Sequence, residues 1–369
     1  MKKFFRAVLL TSLTLLAASC GGQSSSTVNE QSSPLASSIP EPSSEVISST
    51  SKPVSSSQSS SKPISSSKAT SNGGGTVKEN ELSTSSGLVV KFKAEGASIE
   101  TIKWGNTQIA KDGFVVGRCA NRIKNGKFSI NGVEYQADIN SSPHSLHGGN
   151  GTGWNSWRGP FATANWTKVE QTASSITYTI HSNDGANGYP GNMDMTVKYT
   201  LSDEGELLIE YTATTDKDTL CNPTNHLYMN LNNSRNYDNI KLQIDADSYT
   251  PLNNQIPTGD ISSVANTKFD YRSEIAFKGS EEYDDNYVLN GTGYRKVATM
   301  TGSSTGIMVE VFTDRPGLQL YKAGSGDICL ESQMFPDMIN QPKFAAYGTT
   351  ILKANEQFYS KTAYCFSKK

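Results

Sequence analysis

Two of the four histidines in this 369-residue chain lie among residues that suit acid–base chemistry. His226 is part of a polar cluster inside an alternating, strand-like segment. His147 is followed by Gly148 and Gly149, which permit the close approach of a ligand or of another backbone segment. A structural or surface role is the commoner fate of a histidine, so only the neighbours of these two favour a role in chemistry.

The remaining candidate groups leave two interpretations open. Glu331 follows an apolar run, and it is either an outward-facing charge or an inward-facing functional group, because burial of a carboxylate is costly unless the group is partnered. Residues 121–122 and 284–286 are equally consistent with surface ion pairs. His144 and His181 lie in turn-like, polar contexts, and we expect both at the surface.

The elements that must position these groups are strands. Period-two alternation marks residues 206–213, 240–244 and 306–312, and Asn-Gly or Asp-Gly turn signals recur between such segments. No segment sustains a helical period across three turns. Many short strands joined by polar turns predict an all-β sandwich or barrel. The sequence shows neither a glycine-rich phosphate loop nor paired metal-ligand spacing.

The N-terminal region has a different composition. A positive start with Lys2, Lys3 and Arg6, a short apolar stretch and small residues before Cys20 are typical of an export signal. The order resembles a bacterial lipoprotein signal over residues 1–20, in which Cys20 is the lipidation site. Ordinary cleavage near Ser19, which would release a free secreted protein, is the alternative. Residues 21–78 are rich in serine and proline, poor in large apolar residues, and predicted to be a disordered linker.

Residues 79–369 are therefore the predicted globular domain. The net charge of -2 gives no basic excess, which argues against a nucleic-acid partner. No apolar run reaches the roughly 20 residues of a membrane-spanning helix, so a lipid is the only expected membrane attachment. The domain has an even number of cysteines, which permits disulfides in an exported protein, although the spacing establishes none and buried thiols fit equally well: Cys119, Cys221, Cys329 and Cys365.

A series of motifs resembles the aldose 1-epimerase (galactose mutarotase) family. In chain order they are Gly117-Arg118-Cys119-Ala120-Asn121-Arg122-Ile123 with Asn125-Gly126-Lys127-Phe128, Ser145-Leu146-His147-Gly148-Gly149, Asp184-Gly185 with Gly188-Tyr189-Pro190-Gly191, Thr224-Asn225-His226 with Asn230-Leu231, Ile256-Pro257-Thr258-Gly259 with Phe269-Asp270-Tyr271-Arg272, Pro316-Gly317-Leu318-Gln319-Leu320-Tyr321, and Leu330-Glu331-Ser332-Gln333 with Phe335-Pro336-Asp337 and Asn340-Gln341-Pro342. They run from about residue 87 to residue 366. Their number and order make the resemblance specific.

The resemblance implies a large two-sheet antiparallel β-sandwich, the galactose mutarotase-like supersandwich, and an isomerase that needs no cofactor and no metal. Glu331 resembles the family's general base and His226 its general acid, while His147 assists near the ring oxygen or polarises the site. The residues that resemble those holding the sugar hydroxyls are Asn121, Arg122, Asp284 and Gln319.

Three departures from the family pattern bear on the substrate. The segment from Ile102 to Gly117 is short, so one strand and one loop of the family are expected to be missing, which could open the cleft or change the preferred sugar. Asp285 stands where the family commonly has histidine, and we expect this carboxylate to alter local electrostatics. The usual Phe-Asp-Lys after Gly149 is absent, and Trp157 is expected to fill the aromatic position. Trp157 and Tyr189 are our candidates to cover the face of a sugar.

Mutarotation of a free aldose such as glucose, galactose or xylose fits this pair, because the anomeric hydroxyl loses a proton while the ring oxygen gains one. The hypothesis requires an ionised Glu331 and a charged His226. The ordinary pKa values are about 4.3 for glutamate and 6.5 for histidine, and a nearby carboxylate raises the pKa of the histidine. These values predict a bell-shaped or plateaued pH profile. Two alternatives are a non-catalytic cell-surface carbohydrate-binding protein on the same fold and a hexose-phosphate epimerase, which would need more cations than Arg122 alone.

Overall fold

The alternating segments of the sequence are strands in the computed structural model, which describes residues 77–369. The strand Glu206–Thr215 shows why: Leu207, Ile209, Tyr211 and Ala213 are buried, and the residues between them are more exposed. The alternating segments at 240–244 and 306–312 likewise correspond to the strands Ile240–Ile244 and Ile307–Thr313. The period-two prediction is therefore confirmed for each of these segments.

In chain order, the first strands are β1 (Glu81–Ser83), β2 (Leu88–Lys93), β3 (Ser98–Trp104), β4 (Thr107–Val116), β5 (Arg122–Ile123), β6 (Lys127–Ile130), β7 (Val133–Gln136), β8 (Ser145–Leu146), β9 (Thr167–Gln171), β10 (Ser175–Ser182), β11 (Met193–Leu201), β12 (Glu206–Thr215) and β13 (Thr219–Leu220). The remaining strands are β14 (Thr224–Met229), β15 (Ile240–Ile244), β16 (Ser248–Tyr249), β17 (Leu252–Asn253), β18 (Ile256–Pro257), β19 (Ser262–Ser263), β20 (Ile275–Ala276), β21 (Asp284–Val288), β22 (Arg295–Gly302), β23 (Ile307–Thr313), β24 (Gly317–Lys322), β25 (Ile328–Gln333), β26 (Ile351–Leu352) and β27 (Gln357–Lys368).

Two large antiparallel sheets contain most of these strands. The ten-stranded sheet has the order β1-β2-β3-β4-β14-β25-β24-β21-β16-β19, and the nine-stranded sheet has the order β20-β15-β22-β23-β27-β12-β11-β10-β9. The helices are short: α1 (Pro160–Thr163) and the 3₁₀ turns Lys124–Gly126, Gly153–Arg158, Ala186–Gly188, Met338–Asn340 and Pro342–Tyr347. Within residues 77–369, no helix is long and apolar enough to cross a membrane.

The main hydrophobic core lies between the two sheets. Leu227 of β14, Leu318 of β24 and Leu330 of β25 belong to the same buried cluster as Ile209 of β12 and Val311 of β23. The nine-stranded sheet also bonds across this core, where the Tyr364 hydroxyl donates to the carbonyl oxygen of Leu330 at 2.9 Å. The expected two-sheet β-sandwich is confirmed.

The other face of the ten-stranded sheet, which we call the site face, carries polar and aromatic side chains. Because successive side chains alternate between the faces of a strand, the residues next to the core leucines point to the site face. Cross-strand pairing aligns Phe114 with His226, Gln319 with Glu331, and Asn286 with Gln319, on adjacent strands of the sheet. One row of side chains therefore crosses five strands on the site face. It contains two of the predicted acid–base groups, His226 and Glu331.

The shortened segment is a tight hairpin. Strands β3 and β4 are paired up to Trp104 and Thr107, so only Gly105 and Asn106 connect them. Gly105 has φ +57, a conformation that glycine adopts without steric cost. The chain thus reaches Gly117 directly from β4. The predicted signal, the lipidation site Cys20 and nearly all of the predicted linker lie outside the described residues.

Candidate functional site

His226 and Glu331 are in contact on the site face. Nε2 of His226 lies 3.5 Å from Oε1 of Glu331, and both side chains are almost completely buried. The pairing of Met229 with Ile328 sets the register of β14 and β25, and the same antiparallel register carried three residues along the strands places His226 opposite Glu331. Of the two interpretations of Glu331 from sequence, the inward-facing one is correct.

A carboxylate on β21 links two predicted sugar-binding residues beside this pair. Nη1 of Arg122 lies 3.0 Å from Oδ2 of Asp284, and Nε2 of Gln319 donates to Oδ1 of the same carboxylate at 2.7 Å. Asp284 remains partly exposed, whereas Gln319 is buried beside Glu331. The structure thus brings together three of the four residues expected to hold sugar hydroxyls.

Asn121, the fourth, lies in a loop that other motifs hold in place. It has φ +59, which asparagine tolerates better than most residues, and its Oδ1 accepts a hydrogen bond from the backbone N–H of Arg122 at 2.9 Å. The backbone N–H of Asp337 donates to the carbonyl oxygen of Arg122 at 2.9 Å, and the Asp337 carboxylate accepts from the N–H of Lys124 at 2.9 Å. The family-like segment around Asp337 therefore fixes the position of Arg122.

His147 is a neutral imidazole at the edge of His226. Its Nδ1 accepts a hydrogen bond from the backbone N–H of Asn121 at 3.2 Å, so the ring proton is on Nε2. Burial, with the nearby charges of His226 and Arg122, lowers the pKa of His147 well below its usual value. The two imidazole rings meet edge to face at 5.6 Å between centroids. The structure thus brings His147 to the acid–base pair as a hydrogen-bond donor.

Burial shifts the two acid–base groups in opposite directions. It raises the pKa of Glu331 well above its usual value, with a further contribution from Asp284, and it lowers the pKa of His226 to about 4. The expectation that a nearby carboxylate raises the pKa of this histidine is wrong, because desolvation outweighs the attraction of Asp284. Both shifts favour the uncharged arrangement of the pair, in which its single proton lies on Glu331 and the imidazole of His226 is neutral.

Aromatic side chains surround the imidazole of His226. Its ring centroid lies 5.0 Å from Phe114, 4.8 Å from Tyr228 and 5.6 Å from Tyr321. None of these three residues is among the site residues predicted from the sequence. Strand alternation could have identified two of them, since Tyr228 and Tyr321 lie two positions after His226 and Gln319 respectively and therefore share the site face.

The two aromatic residues proposed to cover a sugar lie in different places. Trp157 is 39% exposed and contacts the edge of Phe114 at 6.4 Å between ring centroids, so it borders the site. Tyr189 is buried in a separate cluster and stacks on Phe128, so the prediction that it covers a sugar is wrong. Core packing of an all-β protein uses the same aromatic residues, and sequence does not separate the two roles.

Three further predictions concern polar residues other than those of the pair. His181 is exposed and bonds to Asp194, as expected of a surface residue. His144 is buried instead, because its Nδ1 accepts from the N–H of Asn125 at 3.1 Å and its Nε2 lies 3.2 Å from the carbonyl oxygen of Asn254. Asp285 pairs with the core residue Leu320, so its carboxylate faces away from the site, contrary to its expected effect there.

The domain cysteines do not form disulfides: all four in the described part of the chain are free thiols. Residues 77–369 also contain no group of three or more histidine, cysteine, aspartate or glutamate side chains arranged to hold a metal ion.

Several polar atoms of the site have no hydrogen-bond partner among residues 77–369. They include Oε2 of Glu331, Oε1 of Gln319 and Nε of Arg122, all buried. Buried polar groups are nearly always hydrogen-bonded, so water or a ligand is expected to complete the bonding of these atoms. A carboxylate, an amide and a guanidinium suit the hydroxyl groups of a sugar, which both donate and accept.

Comparisons with known proteins agree with this geometry. The sequence model of the aldose 1-epimerase family matches residues 79–365. The chain is 33% identical over 282 residues to an aldose 1-epimerase of Haemophilus influenzae, covering 69% of this chain and 80% of that protein. It is 36% identical over 281 residues to a galactose mutarotase of Bos taurus, covering 69% of this chain and 78% of that protein. The crystal structure of an aldose epimerase homologue from C. elegans superimposes with a TM-score of 0.70 at 26% identity, covering 78% of this chain and 98% of that one. The chain belongs to the aldose 1-epimerase family.

Proposed function

We propose that the domain interconverts the α and β anomers of free aldoses such as glucose, galactose and xylose by opening and closing the sugar ring. The observation that carries this proposal is the contact of 3.5 Å between two buried groups of opposite acid–base character, His226 and Glu331. The printed activities of the relatives, aldose 1-epimerase and galactose mutarotase, support the same reaction.

The reaction transfers two protons and breaks and re-forms the bond between C1 and the ring oxygen, and no group leaves the sugar. Glu331 as a carboxylate accepts the proton of the anomeric hydroxyl, and protonated His226 donates a proton to the ring oxygen, which breaks the bond between C1 and that oxygen. Rotation about the C1–C2 bond exposes the other face of the aldehyde, and the reverse transfers close the ring and regenerate both groups. Each positioned acid or base contributes roughly 10²–10⁴-fold.

The shared proton of the pair suits this sequence of steps. Transfer of the single proton from Glu331 to His226 converts the neutral pair into the charged pair without any exchange with solvent. The attraction between opposite charges at 3.5 Å in a buried site offsets part of the desolvation cost of that transfer. Substrate hydroxyls that bond to Oε2 of Glu331 would stabilise the carboxylate further.

The neighbouring groups have supporting roles in this proposal. Arg122, Asp284 and Gln319 are linked to one another, and together with Asn121 they hold the sugar hydroxyls and orient C1 toward the pair. His147, with its proton on Nε2, donates a hydrogen bond near the ring oxygen and stabilises negative charge there.

Polarimetry of freshly dissolved α-glucose, α-galactose and α-xylose against the spontaneous rate tests the reaction. We expect acceleration that vanishes in His226→Ala and Glu331→Gln, and the fastest sugar would identify the preferred substrate. The alternative, a carbohydrate-binding surface protein without turnover, is disfavoured because binding alone has no use for a buried acid–base pair. A folded chain that binds these sugars and accelerates none of them would support that alternative.

We also propose that the protein acts outside the cytoplasm, attached to the bacterial cell envelope through lipid on Cys20. Support comes from the order of residues 1–20 and from the Ser/Pro-rich segment 21–78, whose composition suits a spacer between envelope and domain. Labelling cells with a radioactive fatty acid tests this assignment: the protein should carry label, and Cys20→Ser should not. Unlabelled wild-type protein in the culture medium would contradict the proposal.

A further inference from the structure

Arg158 carries an unpaired cation beside Phe114, a residue of the site face. Its Cζ lies 4.7 Å from the ring centroid of Phe114, the residue that stacks on His226 at 5.0 Å. Within residues 77–369 the guanidinium forms no hydrogen bond and no ion pair with the protein, and its Nε is buried without a partner. Its charge acts on two residues of the site face, since it lowers the pKa of His226 and opposes the rise in the pKa of Tyr228.

The backbone around Arg158 places this side chain against Phe114 of the site face. Arg158 ends the 3₁₀ turn Gly153–Arg158, and Gly159 follows with φ +89. A Cβ at position 159 would overlap the carbonyl oxygen of His147, so the turn packs directly against the histidine segment of the site. Trp157 from the same turn contacts the edge of Phe114. The position of the guanidinium therefore follows from packing on two site residues.

The charges of the site leave this cation in excess. Arg122 is neutralised by Asp284, and the His226–Glu331 pair with one shared proton has no net charge in either arrangement. Arg158 therefore gives these five side chains a net charge of one positive unit. An arginine that is half-buried and unpaired is unfavourable by itself, and a carboxylate is the group that its planar fork of donors matches best.

We propose that Arg158 binds a carboxylate of the substrate, so that the site accepts uronic acids, which are aldoses with a carboxylate in place of the terminal hydroxymethyl group. This inference rests on the proposed function, because the uronic acid would mutarotate at C1 through the same pair. A monoanion matches the single excess cation, whereas a phosphate dianion calls for more cationic groups. The reaction at C1 is the same for a uronic acid as for a neutral aldose, and the carboxylate adds only one anchoring contact.

The test compares α-galacturonate with α-galactose, which differ only at the terminal carbon, by polarimetry at pH 7 with the purified full chain. We expect the wild type to accelerate both sugars and kcat/KM for galacturonate to be at least equal to that for galactose. Arg158→Gln should lower kcat/KM for galacturonate about tenfold or more, because a hydrogen bond to a charged group is lost, and change that for galactose less than about threefold. Arg158→Lys should retain part of the preference for galacturonate.

A matched control removes a charge elsewhere. Lys103 is exposed on β3 without an ion pair in the described part of the chain, and Lys103→Gln should leave both sugars unaffected. Adding 0.5 M sodium chloride, which screens charges at distances beyond about 4 Å, should raise KM for galacturonate and not for galactose.

Four outcomes would overturn the inference. If the enzyme accelerates the mutarotation of galactose but not that of galacturonate, Arg158 is not a carboxylate site, and the mutarotase function stands. An equal loss for both sugars in Arg158→Gln would assign the residue a packing role. A preference for galactose 6-phosphate over galacturonate that Arg158→Gln abolishes would assign it to phosphate. Acceleration of no sugar would overturn the proposed function, and this inference with it.

Discussion

His226 on β14 and Glu331 on β25 face each other across neighbouring strands, with Nε2 3.5 Å from Oε1, although 104 positions separate them in the chain. A one-residue slip between these two strands would turn the side chains of the shifted strand to the other face of the sheet and separate the pair. The sheet therefore fixes the geometry of the acid–base pair, and loops supply the groups around it.

Glu331→Gln should lower kcat by about 10²–10⁴-fold with little change in the affinity for sugar, because the amide keeps the shape and one hydrogen-bond acceptor of the carboxylate but cannot take a proton. Polarimetry would give kcat, and a competition assay with a non-isomerising sugar alcohol would give the affinity. Glu100→Gln is the control, since Glu100 is exposed on β3, which is three places from β25 in the sheet. Full activity in Glu331→Gln would exclude Glu331 as the base.

Activity should form a plateau over the neutral range. Binding of a second proton to the pair at acid pH charges His226 while Glu331 stays protonated, so the carboxylate needed as base is absent. The acid limb should therefore lie near pH 4, where the pKa of His226 is placed by burial, and the alkaline limb should follow the raised pKa of Glu331. The pH dependence of kcat/KM for the free enzyme measures both limits. A rate that is constant from acid to strongly alkaline pH would contradict the two-group mechanism.

Asp284→Asn should raise KM about tenfold or more, because the charged hydrogen bonds that hold Arg122 and Gln319 in place would be weakened. Asp285→Asn is a matched control one residue away. Its side chain faces the opposite side of β21, so KM should stay within about twofold of the wild type. Equal effects of the two substitutions would show that the Asp284 contacts do not position the substrate.

The gain in stability of Glu331→Gln over the wild type should increase as pH rises. The folded-state pKa of Glu331 is raised, so above the ordinary value of about 4.3 the unfolded chain loses this proton while the folded chain keeps it. Stability of the wild type must then fall with increasing pH until the folded-state pKa is reached, and the amide removes this dependence. Differential scanning calorimetry at pH 5 and pH 8 should show a gain in Tm for the variant that is larger at pH 8. A gain that is smaller at pH 8 would contradict the raised pKa.

Much of this architecture could be predicted from the sequence because it depends on local patterns. Alternation identified strands such as Glu206–Thr215, and the ordered motifs identified His226, Glu331 and His147 before their contacts were known. Burial and side-chain direction could not be predicted in the same way. The sequence predicts His144 at the surface and Tyr189 on the face of a sugar. Both are buried, because tertiary contacts cover them.

The electrostatics of the site also could not be predicted from the sequence. The pKa of His226 depends on how completely the ring is removed from water, which no spacing of residues reveals. Arg158 lies in a short 3₁₀ turn without any periodic pattern, so its position over Phe114 could be found only from the structure. Motifs therefore located the proposed acid–base groups, whereas their charge states and the position of Arg158 depend on three-dimensional packing.

Gly148→Ala should cost both stability and activity, and a second glycine separates the two physical causes. Gly148 has φ +91, and a Cβ there would overlap the carbonyl oxygen of Gly117. Gly132 has φ +79 in the hairpin between β6 and β7, and a Cβ there would meet no atom within 4 Å. Gly132→Ala should therefore lose only the backbone term of about 1–2 kcal/mol in the free energy of unfolding. Gly148→Ala should lose a further ~1–3 kcal/mol from the steric overlap.

Because the overlap pushes the His147 segment away from Gly117, kcat should fall in Gly148→Ala and stay unchanged in Gly132→Ala. Urea unfolding and polarimetry of both variants measure these differences, and equal losses in the two would show that close packing at Gly148 does not support the site.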